Sequence, residues 1–166
     1  MRRVTLYIET SSAALGKKKR ICGYILEYIT ASGKPVIGKA YREGEGTYNQ
    51  EYLLTAAQAM WHMKEPCDIC ICGKNSFVLN MIQNNLKNWA AHEYISNGKE
   101  ILNRKEWENL WNLMKGHNIS VRIGEHKYTK DMIEEMKVKE NFNYRDLKDL
   151  VENGLKDKPR RKEDGK

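Results

Sequence analysis

Three of the four cysteines, Cys67, Cys70 and Cys72, stand close together in the segment Cys-Asp-Ile-Cys-Ile-Cys. Closely spaced thiols are the ligands of structural zinc sites, so this segment is a candidate for metal chemistry. However, Cys70 and Cys72 belong to an apolar run whose alternation sends neighbouring side chains to opposite faces of a strand. Only Cys22 remains to complete a tetrahedral set. We therefore predict buried free thiols in a reducing compartment.

The pattern of apolar residues predicts an α/β fold that would position any active groups. Three β-rich segments joined by turn-rich sequence predict an antiparallel meander. A later strand, turn and helix form the crossover that parallel pairing requires. We predict strands at 4–8, 21–30, 36–41, 67–72 and 119–123, and helices at about 47–63, from 77, at 105–115 and from 129.

Composition limits the class of protein. The chain has 166 residues, 40% of them hydrophobic, which suits one compact domain and excludes a wholly disordered chain. It contains no apolar run of the ~18–20 residues that a membrane span needs, and its N-terminus turns polar at Glu9, so we expect a cytoplasmic protein. The net charge of +7 favours a polyanionic partner such as nucleic acid.

Two charged segments stand apart from the periodic pattern. The run Lys17–Arg20 is predicted to be a solvated turn that could also contact phosphate. From Val138 onward the sequence is highly charged, so we predict a domain over 1–137 and an extension over 138–166. The extension is expected to hold a short helix at 143–155, followed by a disordered tail. Nothing in the sequence specifies an oligomeric state.

The order of elements, together with four motifs, resembles the type 1 ribonuclease H family over about residues 4–136. The motifs are Tyr-Ile-Glu-Thr-Ser, Thr-Tyr-Asn-Gln-Glu, Gly-Lys-Asn-Ser-Phe-Val and Gly-Glu-His-Lys. The resemblance implies a mixed five-stranded sheet, with three antiparallel strands followed by parallel ones, and helices on both faces.

In that family, four carboxylates hold two magnesium ions that cut the RNA strand of an RNA–DNA hybrid. Paired metal ions generate the attacking hydroxide and stabilise the leaving oxygen. In this sequence the resemblance places Lys74 where the family has one of the four aspartates, and the asparagine pair of the second motif is reduced to Asn49. The catalytic set that the resemblance implies is Glu9, Glu51, Lys74, His126 and Asp131, with Glu9, Glu51 and Asp131 as metal ligands and Glu134 as a weaker match for the last.

The resemblance also implies a surface that contacts nucleic acid, since 86–89 and 103–111 resemble the family's helix, basic protrusion and following helix. Trp107 and Trp111 lie at i and i+4, which favours a place in the core. Trp89, among basic residues, could contact a backbone or simply pack. The candidate nucleic-acid-binding residues are Asn49, Lys87, Trp89, Lys99, Arg104 and Lys105.

Lys74 decides the function that we predict. An ammonium in place of a carboxylate removes an attraction to a divalent cation and adds a repulsion, each about 4 kcal/mol per unit charge at 4 Å and an effective dielectric of 20. We therefore predict a nucleic-acid-binding protein for hybrid or duplex, with weak or no binding of magnesium or manganese and weak or lost hydrolysis. Two alternatives remain open: an active hybrid ribonuclease with an altered metal set, in which the ammonium replaces one metal ion, and a protein–protein module that uses the charged C-terminal segment.

Overall fold

The structure of the protein is a computed structural model that describes the backbone of residues 1–153 and the side chains of residues 1–141. Within this part of the chain, a five-stranded sheet is combined with one short hairpin and five helices. The strands are β1 (Arg2–Thr10), β2 (Arg20–Ile29), β3 (Pro35–Gly44), β4 (Cys67–Gly73), β5 (Ile95–Ser96), β6 (Lys99–Glu100) and β7 (Asn118–Ile123). The helices are α1 (Tyr48–Met60), α2 (Ser76–Asn84), α3 (Leu86–Ala91), α4 (Arg104–Met114) and α5 (Thr129–Asn153).

The main sheet has the order β3-β2-β1-β4-β7. β1, β2 and β3 pair antiparallel, whereas β4 runs parallel to β1 and β7 runs parallel to β4. The predicted α/β class and mixed sheet are therefore confirmed. Because β1 and β4 are parallel neighbours, the residues that follow their carboxyl ends meet at one edge of the sheet.

The two faces of the sheet are covered by different helices. Along β1, Val4, Leu6 and Ile8 belong to the larger core, which includes buried residues of α1, α2 and α4. Tyr7 belongs to a smaller core on the other face, together with Met132 of α5. The alternation of a strand places Glu9 on the same face as Tyr7, toward α5.

The start of α1 matches the sequence prediction. Thr47 accepts a hydrogen bond from the backbone N–H of Gln50 at 3.2 Å and so caps the helix. The helix ends at Met60 rather than near Met63. The backbone N–H groups of His62 and Met63 instead bond three residues back, at 3.1 and 3.0 Å, which is the tighter turn common at helix ends.

Residues 89–104, for which we predicted no strand, contain a short two-stranded hairpin. β5 and β6 form a hairpin whose turn is Asn97 and Gly98, with φ angles of 53° and 76°. An Asn-Gly pair is the strongest short signal for this kind of turn, because both residues tolerate positive φ.

Arg20 corrects the prediction of a solvated Lys17–Arg20 run. Its side chain is 1% exposed and donates hydrogen bonds to the backbone carbonyls of Ser12 and Gly16, each at 2.7 Å. Arg20 is the first residue of β2, and its guanidinium hydrogen-bonds to backbone carbonyls because a buried charged group is destabilising without such partners. Lys17, Lys18 and Lys19 are exposed, as predicted.

Helix α5 extends without a break from Thr129 to Asn153 and so crosses the predicted domain boundary between residues 137 and 138. The separate short helix predicted at 143–155 is, as far as Asn153, part of this one long helix. The boundary itself stays a prediction, and the predicted disordered tail lies outside the described residues. No helix among the described residues is both long enough and apolar enough to cross a membrane.

Candidate site around Glu9

Glu9 is the most buried carboxylate of the described residues, with 1% of its surface exposed near the end of β1. Three side chains within residues 1–141 contact it. Lys74 Nζ lies 3.2 Å from Oε1, while His126 Nε2 at 3.1 Å and Thr129 Oγ1 at 2.7 Å both contact Oε2. These groups come from the β4–α2 junction, the loop after β7 and the first turn of α5. One carboxylate therefore ties three parts of the fold together.

The pKa of Glu9 lies below the usual value for a glutamate. Burial by itself raises the pKa, but hydrogen bonds from His126 and Thr129 and the charge of Lys74 outweigh that effect. Glu9 is therefore held as a carboxylate, and each of its contacts is a charge-assisted hydrogen bond or an ion pair.

Lys74 is positioned by the residue that follows it. Asn75 is buried and caps α2 by accepting a hydrogen bond from Val78 N–H at 2.9 Å. Its amide nitrogen donates to Asn49 Oδ1, also at 2.9 Å, which links the starts of α2 and α1. The Lys74 side chain is 39% exposed, so its ammonium lies between buried Glu9 and solvent.

His126 is held in one orientation by its own loop. The backbone N–H of Tyr128 donates to Nδ1 at 3.2 Å, so Nδ1 acts as an acceptor. In the neutral ring the proton is then on Nε2, which faces Glu9 and also the carbonyl of Ile8 at 3.3 Å. Thr129 Oγ1 accepts from His126 N–H at 2.9 Å, which couples the loop to the start of α5.

Glu51, a predicted metal ligand, is turned away from this cluster. Its Oε1 lies 2.7 Å from Arg42 Nη2 on β3, and its Oε2 accepts a hydrogen bond from Gly46 N–H at 3.0 Å. The contact with Arg42 is an ion pair without a well-aligned hydrogen bond, since Oε1 has no partner of hydrogen-bond geometry among the described side chains. The structure thus assigns Glu51 to the junction of β3 and α1.

Asp131, the other predicted ligand of the last helix, is exposed and lies toward β3. The pKa of Tyr41 on β3 is raised by burial, by a hydrogen bond to Glu135 and by the charges of Glu135 and Asp131, which places both acids near that ring. Thr129, two residues earlier in α5, is instead the residue that contacts Glu9. Each helical residue turns about 100°, so two positions are enough to change the face.

Tyr52 is the site residue that sequence reasoning missed on α1. It is 1% exposed, and its hydroxyl has no hydrogen-bond partner among the described residues. A Cβ built on Gly73, at the end of β4, would lie 1.9 Å from that hydroxyl and 3.3 Å from the carbonyl of Ile8. Tyr52, rather than Glu51, therefore reaches the space between β1 and β4 beneath Glu9. Its spacing with Ala56 and Ala59, which are also buried, was the available signal.

The residues present do not fit a site for two divalent ions. Such a site needs several carboxylates that converge, because hard cations take oxygen ligands and their charge must be neutralised. Glu9 is engaged by an ammonium, a hydroxyl and an imidazole, while Glu51 and Asp131 face elsewhere. Across residues 1–141, no group of three or more His, Cys, Asp and Glu side chains is arranged to hold a metal ion.

The predicted nucleic-acid-binding residues fall into two groups. Lys87, Lys99 and Lys105 are exposed and free to approach a backbone. Arg104 bonds to Glu100 at 2.9 Å, and Asn49 uses its oxygen to accept from Asn75. The indole of Trp89 packs edge-on against that of buried Trp107, with ring centroids 5.3 Å apart. Of the two roles considered for Trp89, contact with a nucleic-acid backbone or packing, the structure shows packing.

The sheet order and the helices on its two faces define a ribonuclease H-like fold. A family model described as RNase H matches residues 1–141, so the chain belongs to the RNase H family. The Ribonuclease H of Clostridium botulinum (strain Hall) is 30% identical over 121 residues, which are 72% of this chain and 80% of that protein.

Two solved structures are similar in fold. One is LC9-RNase H1, described as a type 1 RNase H with the type 2 active-site motif, with a TM-score of 0.60 at 15% identity over 76% of this chain and 64% of that chain. The other is a foamy viral protease-reverse transcriptase in complex with RNA/DNA hybrid, with a TM-score of 0.51 at 14% identity over 74% of this chain and 17% of that chain. The predicted family resemblance is confirmed.

The lowered pKa of Glu9 predicts a specific dependence of stability on pH. A depressed folded-state pKa stabilises the fold above the unfolded value, 4.5, and this contribution is lost as pH falls through the folded-state pKa. We expect the free energy of unfolding, measured by urea denaturation between about pH 3 and 6, to fall more steeply in wild type than in Glu9→Gln. Glu27 and Glu135, whose pKa values are also lowered, are present in both proteins and cancel. Equal slopes would contradict the prediction.

Proposed function

We propose that this protein binds RNA–DNA hybrid or duplex nucleic acid through its ribonuclease H-like fold, and that its hydrolytic activity is weak or lost. The observation that carries the proposal is the Lys74–Glu9 ion pair at 3.2 Å. The ammonium stands where a cation would have to contact Glu9, and it repels a second cation by about 4 kcal/mol per unit charge at 4 Å and an effective dielectric of 20.

Two neutral side chains at the site support the loss of hydrolysis. Tyr52 and Thr129 supply hydroxyl groups where α1 and α5 face the ends of β1 and β4. A neutral hydroxyl does not neutralise a divalent cation, which needs carboxylate ligands when held by few protein groups. With one carboxylate left, and that one paired, the site has no means of holding two metal ions in place.

Binding of nucleic acid is supported by charge and by family membership. The chain carries a net charge of +7, and the foamy viral relative in fold was solved in complex with RNA/DNA hybrid. The exposed Lys17, Lys18 and Lys19 lie beside the start of α1, because Lys18 N–H donates to Gly46 O and Tyr48 N–H donates to Leu15 O, each at 3.4 Å. We propose that they contact the same ligand as the exposed Lys87, Lys99 and Lys105.

We expect binding that depends strongly on salt and persists in EDTA. Each neutralised phosphate releases a counterion, so the logarithm of affinity should fall linearly with the logarithm of salt concentration. The combined variant Lys87→Glu, Lys99→Glu and Lys105→Glu should lower the steepness of that line by about one for each phosphate that the variant no longer neutralises. The measurement is a titration of labelled hybrid and of duplex DNA by fluorescence anisotropy at several salt concentrations.

A matched control carries the same change of charge at the opposite end of the sheet. Arg3, Lys64 and Lys115 are exposed and lie near the starts of β1 and β4 and the end of α4. Replacing these three by Glu should weaken binding much less than the first variant does. Absence of binding at low salt, or equal losses of affinity in the two variants, would count against the proposed surface.

A further inference from the structure

The thiols of Cys70 and Cys72 lie on one face of β4, with their Sγ atoms 3.9 Å apart. Ile71 between them points into the main core, so both thiols face the side of the sheet that α5 covers in part. Cys70 is half-buried, whereas Cys72 is 4% exposed and packs with Tyr7, Ile25 and Met132. All four cysteines are free thiols, and Cys22, Cys67 and Cys72 are buried.

Solvent reaches this pair from the Cys70 side. A cleft of about 480 Å³ opens between β1, β4 and β7, and its lining includes Cys70, Thr5 and Ser120. Thr5 and Ser120 are the register neighbours of Cys70 on the two adjacent strands. The neighbour of Cys72 on β7 is Arg122, which also lines the cleft and brings a positive charge.

We propose that Cys70 and Cys72 form a dithiol site for a thiophilic centre that accepts two sulfur ligands and supplies the rest of its own coordination shell. Two sulfurs 3.9 Å apart, each about 2.3 Å from a common atom, subtend about 115° there, which suits trigonal or tetrahedral geometry. The described residues add no further His, Cys, Asp or Glu to make a group of three. The site therefore suits a trivalent organoarsenical or a soft ion with an exogenous ligand better than it suits structural zinc.

The pair is also suited to remain reduced. In an extended strand, residues two apart have Cα atoms about 6.6–6.8 Å apart, at the upper end of what a disulfide spans. Burial and the neighbouring Cys70 thiol raise the pKa of Cys72 to about 12, which suppresses the thiolate that oxidation needs. Binding must then displace the thiol protons.

Phenylarsine oxide is the probe, because its reaction with a dithiol is balanced without any change of oxidation state. The arsenic–oxygen bond breaks, two arsenic–sulfur bonds form, and the oxygen leaves as water with the two thiol protons. We expect the folded full-length protein to take up one equivalent, seen by intact-mass spectrometry, and to gain thermal stability as the ligand concentration rises. An excess of a small dithiol should remove the adduct.

Four single variants test the assignment. Cys70→Ser, at a half-buried position, should lower the affinity at least about 100-fold, because one thiol then binds without the second held beside it. Cys72→Ser should do the same, and Cys22→Ser and Cys67→Ser, which change the other two buried thiols, should leave binding unchanged. Circular dichroism checks that each variant is folded. No adduct on the folded wild type, uptake only after denaturation, or an adduct that survives in folded Cys70→Ser would overturn the proposal.

Discussion

In a single-turnover assay on a labelled RNA–DNA hybrid, we expect the wild-type protein to cleave the RNA strand poorly or not at all in magnesium and in manganese. The protein would be present at concentrations that bind the hybrid, with an active ribonuclease H as positive control. The physical reason is that Lys74 Nζ lies 3.2 Å from Glu9 and already neutralises the one buried carboxylate of the site. The two-metal mechanism then lacks the clustered negative charge on which it depends.

Variants decide what any observed cleavage would mean. Cleavage at a rate comparable to that of the positive control, if abolished by Glu9→Gln, would contradict the proposed weak or lost activity. If Lys74→Ala also abolished it while binding survived, the ammonium would be catalytic, as in the alternative with an altered metal set. Cleavage unchanged in both variants would show a contaminating nuclease, and a fresh preparation would then have to be inactive for the proposal to stand.

A complementary test changes the site toward carboxylates. Lys74→Asp alone should not suffice to restore metal binding, because Tyr52 and Thr129 still present hydroxyls. The combined variant Glu9→Asp, Tyr52→Glu, Lys74→Asp and Thr129→Asp supplies four carboxylates at those positions. We expect its melting temperature to rise with magnesium, while that of wild type does not, because only the variant binds the ion. A magnesium-dependent rise in wild type would contradict the assignment.

Arg20→Ala should cause the largest loss of stability of any change in the basic Lys17–Arg20 run, about 3 kcal/mol in the free energy of unfolding. The buried guanidinium donates to the carbonyls of Ser12, Gly16 and Gly46, and hydrogen bonds to charged groups are each worth about 1.5–3 kcal/mol. Its loss also releases the loop that carries Lys17 to Lys19. Urea denaturation of wild type and Arg20→Ala measures this difference in the free energy of unfolding.

Lys19→Ala is the matched control for this change. Lys19 is exposed, and its Nζ lies 3.4 Å from Oε1 of exposed Glu43. Such surface ion pairs contribute about 0–1 kcal/mol to the free energy of unfolding. We expect its effect on stability to be small and its effect on nucleic-acid affinity to be the measurable one. Similar destabilisation by the two variants would show that Arg20 is not the structural anchor of the loop.

Several features of the fold followed from local patterns. The alternation of Val4 to Ile8 predicted β1, and the helical spacing of apolar residues predicted α1, because strand and helix periods are readable within about ten residues. The hairpin at Asn97 and Gly98 was missed although its turn signal was present. The burial of Arg20 was not readable, because only the packing of Tyr48 and of the loop carbonyls around it removes that side chain from water.

The amino-acid sequence alone was enough to specify the RNase H-like class and the approach of Lys74 to Glu9. Glu9 is the penultimate residue of β1 and Lys74 directly follows β4, and the ends of neighbouring parallel strands meet at one edge of a sheet. Which side chains of α1 and α5 complete the cluster depends instead on the three-dimensional packing. A helix turns about 100° per residue, so a shift of one position replaces Glu51 by Tyr52, and a shift of two replaces Asp131 by Thr129. The rotation of each helix about its own axis, relative to the sheet, is set by the packing of the whole core. The predicted carboxylates and the observed hydroxyls differ for this reason.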